Sequence, residues 1–324
     1  MLRSLILAVA AAPTVRRLIG TAPISRVLVR RFVAGESTEQ AVAAAATLVA
    51  TGMAVTLDHL GEDVEDEAGA ESGVQAYLAL LDRLGREGLA SRADVSVKLS
   101  ALGQGLDGAL ALHNASRICA AAQRAGTTVT LDAEDHSTTD STLEVLAELR
   151  RSWATTGAVL QAYLHRTLGD CRALAVRDSR VRLCKGAYAE PPEVAYNHAH
   201  EVALNYVRCA NTLLAGPGYP MFATHDPRLV SVVGERARWY GRERDSFEYQ
   251  MLYGVRPAEQ RRLTEAGYTV RIYLPYGSDW YPYLVRRLAE RPANAAFFLR
   301  AVSSALWHAA RHDHHRGPWR RQDR

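Results

Sequence analysis

The chain has 324 residues, 48% hydrophobic and 23% charged, the composition of an ordinary globular protein, which excludes disorder and collagen-like repeats. Its four cysteines lack Cys-x-x-Cys or zinc-type spacing, which argues against a disulfide scaffold or structural zinc and for a reducing compartment, the cytoplasm. The net charge of +4 is local: residues 1–35 hold six arginines and no acid, the other 289 residues sum to −2, and no basic patch with interleaved aromatics marks a nucleic-acid partner.

Residues 1–39 read as two short basic amphipathic helices, broken at Pro13 and Pro23. They are too short to span a membrane and suit either packing on the body or peripheral contact with an anionic inner membrane face through residues 1–35. From residue 40 onward, eight short runs rich in β-branched residues alternate with stretches of helical period. The runs are 53–57, 95–99, 127–131, 158–163, 181–184, 221–223, 247–251 and 269–274. Helical patterns lie between them at 73–87, 106–125, 141–152, 168–176, 192–215, 227–240 and 257–266. Eightfold strand–helix alternation predicts an α/β fold, a (β/α)8 TIM barrel over residues 40–306. An open doubly wound sheet would call for Gly-x-Gly-x-x-Gly after the first run, and none is there. Residues 307–324, with His308, His312, His314 and His315 among arginines, read as a frayed polar tail.

In such a barrel, chemistry gathers at the carboxyl ends of the strands. Those ends carry Asp58-His59, Lys98, Asp132 with Glu134, Gln161, Arg182 with Lys185, Thr224-His225, Glu248 with Gln250, and Arg271 with Tyr273. Lys98 and Lys185 are the only lysines among 39 cations, and both sit in apolar strand-like stretches, which suggests a need for a compact ammonium. Beyond the last run, Tyr283, Arg286, Arg287 and Glu290 share one face of a predicted helix. The arginine pair suits a carboxylate or phosphate, and a solvated face with an Arg286–Glu290 pair is the plain alternative. Asp58, His59, Glu134, Asp135, His136, His165, His225 and Asp226 also admit a metal-dependent barrel isomerase or hydrolase, and the arginine pair a non-catalytic anion-binding barrel. Cys184 reads as core.

The stretches Val-Lys-Leu-Ser-Ala-Leu (97–102), Leu-Asp-Ala-Glu-Asp (131–135), Leu-Gln-Ala-Tyr-Leu (160–164) and Arg-Leu-Cys-Lys-Gly-Ala-Tyr (182–188) resemble the proline dehydrogenase family. So do Ala-Thr-His-Asp (223–226), Phe-Glu-Tyr-Gln-Met-Leu-Tyr-Gly (247–254) and Tyr-Leu-Val-Arg-Arg-Leu-Ala-Glu (283–290), in the family's order. The resemblance is to the short monofunctional bacterial form, since no aldehyde dehydrogenase domain follows. It implies a distorted barrel holding FAD, with a final helix over the mouth, and hydride transfer from L-proline to flavin N5, giving 1-pyrroline-5-carboxylate. Electrons would pass to a membrane quinone. It further implies that Lys98, Arg286 and Arg287 grip the proline carboxylate, that Tyr273 and Tyr283 wall the ring, and that Asp132 orders the pocket. Gln161 and Arg182 would meet the flavin edge and Lys185 its pyrophosphate. Gly186, Ala187, Tyr188, Thr224 and His225 would hold the rest, and Glu290 would meet either an arginine or the flavin ribose. A related flavin enzyme acting on hydroxyproline is the alternative within this chemistry.

Overall fold

The structure, a computed structural model, describes residues 29 and 31–289, with side chains through Val285. Residues 33–278 make one compact unit; Asp279 to Ala289 belong to a second. The first unit is a closed barrel of eight parallel strands in sequence order: β1 (Ala54–His59), β2 (Ala93–Val97), β3 (Val129–Leu131), β4 (Gly157–Gln161), β5 (Arg180–Cys184), β6 (Tyr219–Ala223), β7 (Glu248–Leu252) and β8 (Thr269–Tyr276). Pairing of β8 with β1, Ala54 beside Arg271 through His59 beside Tyr276, closes the ring.

Helices α1 (Thr38–Ala50), α2 (Glu67–Arg86), α3 (Gly108–Ala125), α4 (Thr139–Arg150), α5 (Thr167–Leu174), α6 (Ala199–Ala215), α7 (Pro227–Trp239) and α8 (Pro257–Glu265) precede or link these strands. Local chemistry sets their starts: Ser37 and Gln40 form a capping box on α1, Asp66 caps α2, and Asp226 caps α7 with Pro227 in its first turn. Strand alternation then sorts the side chains. Val55, Leu57, Val95 and Val97 pack with Leu80, Leu81, Leu84 and Ile118, while Leu183, Phe222 and Ile272 pack with Tyr206, Leu213 and Val233. The alternate positions Thr56, Asp58, Asp94, Ser96, Thr130, Arg182, Glu248 and Gln250 are polar, and all are buried.

Near the amino ends of the strands these polar residues form a charged floor. Asp94 accepts from Thr56, from Thr130 at 3.3 Å and from Arg180 at 3.0 Å. Arg271 donates to both Glu248 oxygens, at 2.7 and 3.1 Å, and to the Val55 carbonyl at 2.9 Å. Gln250 and Tyr219 also donate to Glu248, at 2.6 and 3.2 Å. This corrects the expected placement of Glu248 and Arg271: Glu248 opens β7 and Arg271 is the third residue of β8, so neither stands at a carboxyl end. Their places in the expected runs, second in 247–251 and third in 269–274, already lay toward the amino end.

The strands fall within two residues of their expected bounds at every end, but two helices move. α2 starts six residues before the expected 73, where Asp66 caps it and Ala70 is buried. α6 starts at Ala199 instead of 192: residues 194–196 lie along 163–165, with Leu164 bridged antiparallel to Ala195, His165 N–H donating to the Val194 carbonyl and Tyr196 N–H to the Tyr163 carbonyl. Of the segment 1–39, where two helices were expected, only residues 29 and 31–39 are described, and the tail 307–324 lies outside the described residues. In the second unit, α9 (Trp280–Ala289) forms where a final helix was expected.

The loops at the carboxyl rim are tied to one another all the way round. Lys98 bonds Asp58, the Ser100 amide bonds Glu134 at 3.1 Å, and Gln161 bonds the Glu134 carbonyl at 2.7 Å. Tyr163 N–H bonds the Lys185 carbonyl and Lys185 bonds Asp226 at 2.8 Å. Leu252 N–H bonds His225 at 2.9 Å, Tyr253 N–H the Tyr273 carbonyl and Leu60 N–H the Tyr276 carbonyl.

Candidate active site

Lys98 follows β2 immediately and keeps the inward parity of Asp94 and Ser96, so its side chain enters the barrel. Its ammonium lies 2.9 and 3.0 Å from the two Asp58 oxygens and 3.7 Å from Asp132. Burial works against this charge, but Asp58 and then Asp132 outweigh it and hold the ammonium above its usual range, so Lys98 stays a cation. Asp132, one residue past β3, uses both oxygens: Arg182 Nη1 donates at 3.2 Å and the Tyr273 hydroxyl at 2.7 Å. Burial, reinforced by Asp132, pushes the Tyr273 hydroxyl far up, so it remains a donor.

Arg182 comes from the middle of β5 and is only 3% exposed. Nη1 also donates to Ser96 Oγ at 3.0 Å, and the guanidinium carbon sits 5.2 Å from the centre of the Tyr273 ring. Its Nε and Nη2 are buried without a hydrogen-bond partner among the described residues. Two orphaned donors on a buried cation are costly unless a ligand supplies acceptors.

Gln161 ends β4, and its amide is fixed on the Glu134 carbonyl. Burial raises the Glu134 carboxyl despite bonds from Ser100. Lys185, Gly186, Ala187 and Tyr188 follow β5. Gly186 holds φ +111°, and a Cβ there would lie 2.4 Å from the Tyr163 ring, so backbone packs directly on that ring and only glycine fits. Thr224 and His225 follow β6; Thr224 Oγ1 accepts from the Asp226 N–H at 3.1 Å, and His225 Nε2 accepts the Leu252 N–H.

Lys98, Asp132, Arg182 and Tyr273 thus meet in one largely buried cluster within the barrel, and Gln161 stands on the neighbouring strand end. Tyr283 is buried on α9; Arg286 and Arg287 lie three and four residues further along that helix, and Glu290 lies outside the described residues. Asp58, 1% exposed, was visible as a strand-end residue but received no part in the pocket. Its inward parity, shared with Thr56, was the available signal. Ser96 was missed for want of any signal, since a serine inside a strand is common. Among the described residues no three His, Cys, Asp or Glu side chains are grouped to hold a metal ion.

The cluster brings two cations and two carboxylates into balance, fixes a phenol as donor, and presents two unmet guanidinium donors. Such an arrangement suits a ligand with an anionic group and a separate acceptor edge.

Comparison with known proteins points to one family. The family described as Proline dehydrogenase matches residues 41–300. A proline dehydrogenase of Deinococcus radiodurans is 42% identical over 280 residues, 85% of this chain and 90% of that protein. Proline dehydrogenase 1 of Bacillus subtilis is 35% identical over 278 residues, 86% of this chain and 91% of the relative. Among solved structures, the proline utilization A protein of Bdellovibrio bacteriovorus, inactivated by N-propargylglycine, superposes with a TM-score of 0.76 at 26% identity over 81% of this chain. The matched part spans 32% of that much longer chain.

Proposed function

Because the chain belongs to the proline dehydrogenase family, we propose that it oxidises L-proline to 1-pyrroline-5-carboxylate with FAD as resident cofactor and passes the electrons to a membrane quinone. The best support is Arg182, a buried cation with two donors unmet beside Lys98 and Tyr273. The residues fit the cofactor, since the two unmet guanidinium donors call for acceptors of the kind a flavin edge offers.

In this reading Lys98, joined by Arg286 and Arg287, holds the proline carboxylate, and Asp58 keeps the ammonium in place. Tyr273 and Tyr283 flank the ring. Asp132 fixes both Arg182 and Tyr273, so one carboxylate sets the spacing between the substrate side and the cofactor side. Gln161 and Arg182 supply donors to the flavin edge, where a fixed positive charge favours the electron-rich form. Lys185, with one donor on Asp226, keeps others for a pyrophosphate, and Gly186, Ala187, Tyr188, Thr224, His225 and Glu290 complete the cofactor site. The flavin, when bound, supplies the acceptor for the hydride leaving the ring carbon next to nitrogen. The protein's part is orientation and exclusion of water.

The test is an anaerobic absorbance spectrum of the purified holoprotein. Flavin bands that bleach on adding proline are expected. A colourless protein, or bands indifferent to proline, overturns the reading.

The catalytic barrel is assigned to residues 40–306, the basic segment to 1–39 and a polar tail to 307–324. We place the protein in the cytoplasm with peripheral contact to the inner membrane face. Among the described residues no helix is long and apolar enough to cross a membrane. Each basic residue near an anionic bilayer contributes ~1 kcal/mol, so the six arginines of residues 1–35 suffice for reversible, salt-sensitive binding. Deleting residues 1–35 should abolish binding to anionic vesicles and lower quinone reduction while turnover with a soluble dye persists. Loss of dye turnover or of folding, with no vesicle-specific change, assigns these residues to packing instead.

A further inference from the structure

The Glu190 carboxylate is nearly sealed from solvent, its side chain 4% exposed, and gathers three groups from two other loops. It accepts the His136 backbone N–H at 3.0 Å, faces His136 Nδ1, and accepts the Tyr163 hydroxyl at 2.9 Å. The Tyr188 backbone also acts on that hydroxyl, opposing the burial and the Glu190 contact that push it up. The Tyr163 ring is the surface on which Gly186 rests, closely enough that a single added carbon would collide with it. One carboxylate therefore fixes the ring under residue 186 and the hydroxyl beside residue 188, the two ends of the Gly-Ala-Tyr turn. The outer part of this loop is held separately, by the backbone bonds from Tyr196 to Tyr163 and from His165 to Val194.

We propose that Glu190 is a positioning residue for cofactor binding, acting through Tyr163 to hold the Gly186–Tyr188 backbone in its ligand-ready shape. The inference rests on the flavin reading above. Without the carboxylate, the Tyr163 hydroxyl and the His136 amide lose their acceptor, the ring is free to turn, and the peptide above it shifts. Because the outer loop keeps its own backbone bonds, the fold survives and the loss falls on the cofactor. Glu190→Gln keeps an acceptor oxygen for both the His136 amide and the Tyr163 hydroxyl and can turn its NH2 toward the ring nitrogen, so it serves as the conservative variant.

The experiment measures FAD release from the full-length holoprotein on dilution, alongside the proline KM at saturating FAD and the melting temperature of the flavin-free protein. Glu190→Leu should raise the FAD dissociation constant by about tenfold or more, the usual consequence of losing hydrogen bonds to a charged group. Proline KM should stay near wild type, and flavin-free melting should fall less than that of the holoprotein. Tyr163→Phe should share the effect, the double variant should add little to either, and Glu190→Gln should restore most of the affinity. Wild-type FAD affinity in Glu190→Leu, additive effects in the double variant, or a fall in flavin-free melting as large as that of the holoprotein overturns the proposal. A wild-type protein that takes up no FAD overturns both this proposal and the flavin reading; normal wild-type uptake with an unaffected variant overturns this proposal alone.

Discussion

Lys98→Met should lower kcat/KM for proline by at least about tenfold and up to ~100-fold, since a charge-assisted hydrogen bond to the substrate carboxylate is worth ~1.5–3 kcal/mol. The change also strips Asp58, 1% exposed, of both its contacts at 2.9 and 3.0 Å. An unpaired carboxylate there must take up a proton or repel the incoming anion, and either response sets the loss above that of a surface lysine. Lys98→Arg should not restore function, because a planar fork cannot occupy the point between Asp58 and Asp132 that a compact ammonium fills. FAD content should remain near wild type, since Lys98 bonds none of the residues assigned to the flavin edge. Steady-state kinetics with a dye acceptor checks this. Unaltered proline kinetics in Lys98→Met would remove the lysine from the substrate site.

The barrel was readable in the chain because parallel strands buried on both faces are short, rich in Val, Ile and Leu, and separated by helical periods. Lys98 stood out because the chain writes arginine almost everywhere else. The carboxylate that holds it did not stand out: Asp58 opens a polar dipeptide that looks like any loop start, and only closing of β1 on β2 brings it to the lysine. Glu190 was harder still. Its three partners come from positions 136 and 163, and nothing in Ala-Glu-Pro-Pro points to either. Arg271 and Glu248 were visible as charges in strands, but not as partners: only the pairing of β7 with β8 brings the two together.

Arg271→Met should destabilise the protein by about 3–5 kcal/mol in chemical denaturation, the range for removing one partner from a buried ionic network. It leaves Glu248, 0% exposed, with only Gln250 and Tyr219, and leaves Asp94 with Arg180 and two threonines. The effect has a pH signature. Burial alone would raise the Asp94 carboxyl, but Arg271, Arg180 and Arg182 together hold it below its usual range. A depressed native carboxyl stabilises fully above its unfolded value, near pH 4, and loses that contribution as pH falls through the native value. With Arg271 gone the native value rises toward the unfolded one, so acid unfolding should begin at a higher pH than in wild type. Asp94→Asn removes the titrating group itself and should flatten this part of the acid limb. A stability change under about 1 kcal/mol for Arg271→Met would mean that the floor is ornamental, as exposed pairs are.

The closed ring of loop-to-loop bonds at the carboxyl rim divides the molecule into a face that resists added sequence and one that accepts it. An insertion beside one of these linked residues breaks its bond to the next loop, so lengthening one loop disturbs its neighbour as well. At the opposite mouth the turn between α2 and β2 carries no such duty: Gly88 is exposed, adopts φ +69°, and has open space where a side chain would go. Tags, grafted peptides and new chain ends belong at that turn, where the barrel can be entered without touching its chemistry.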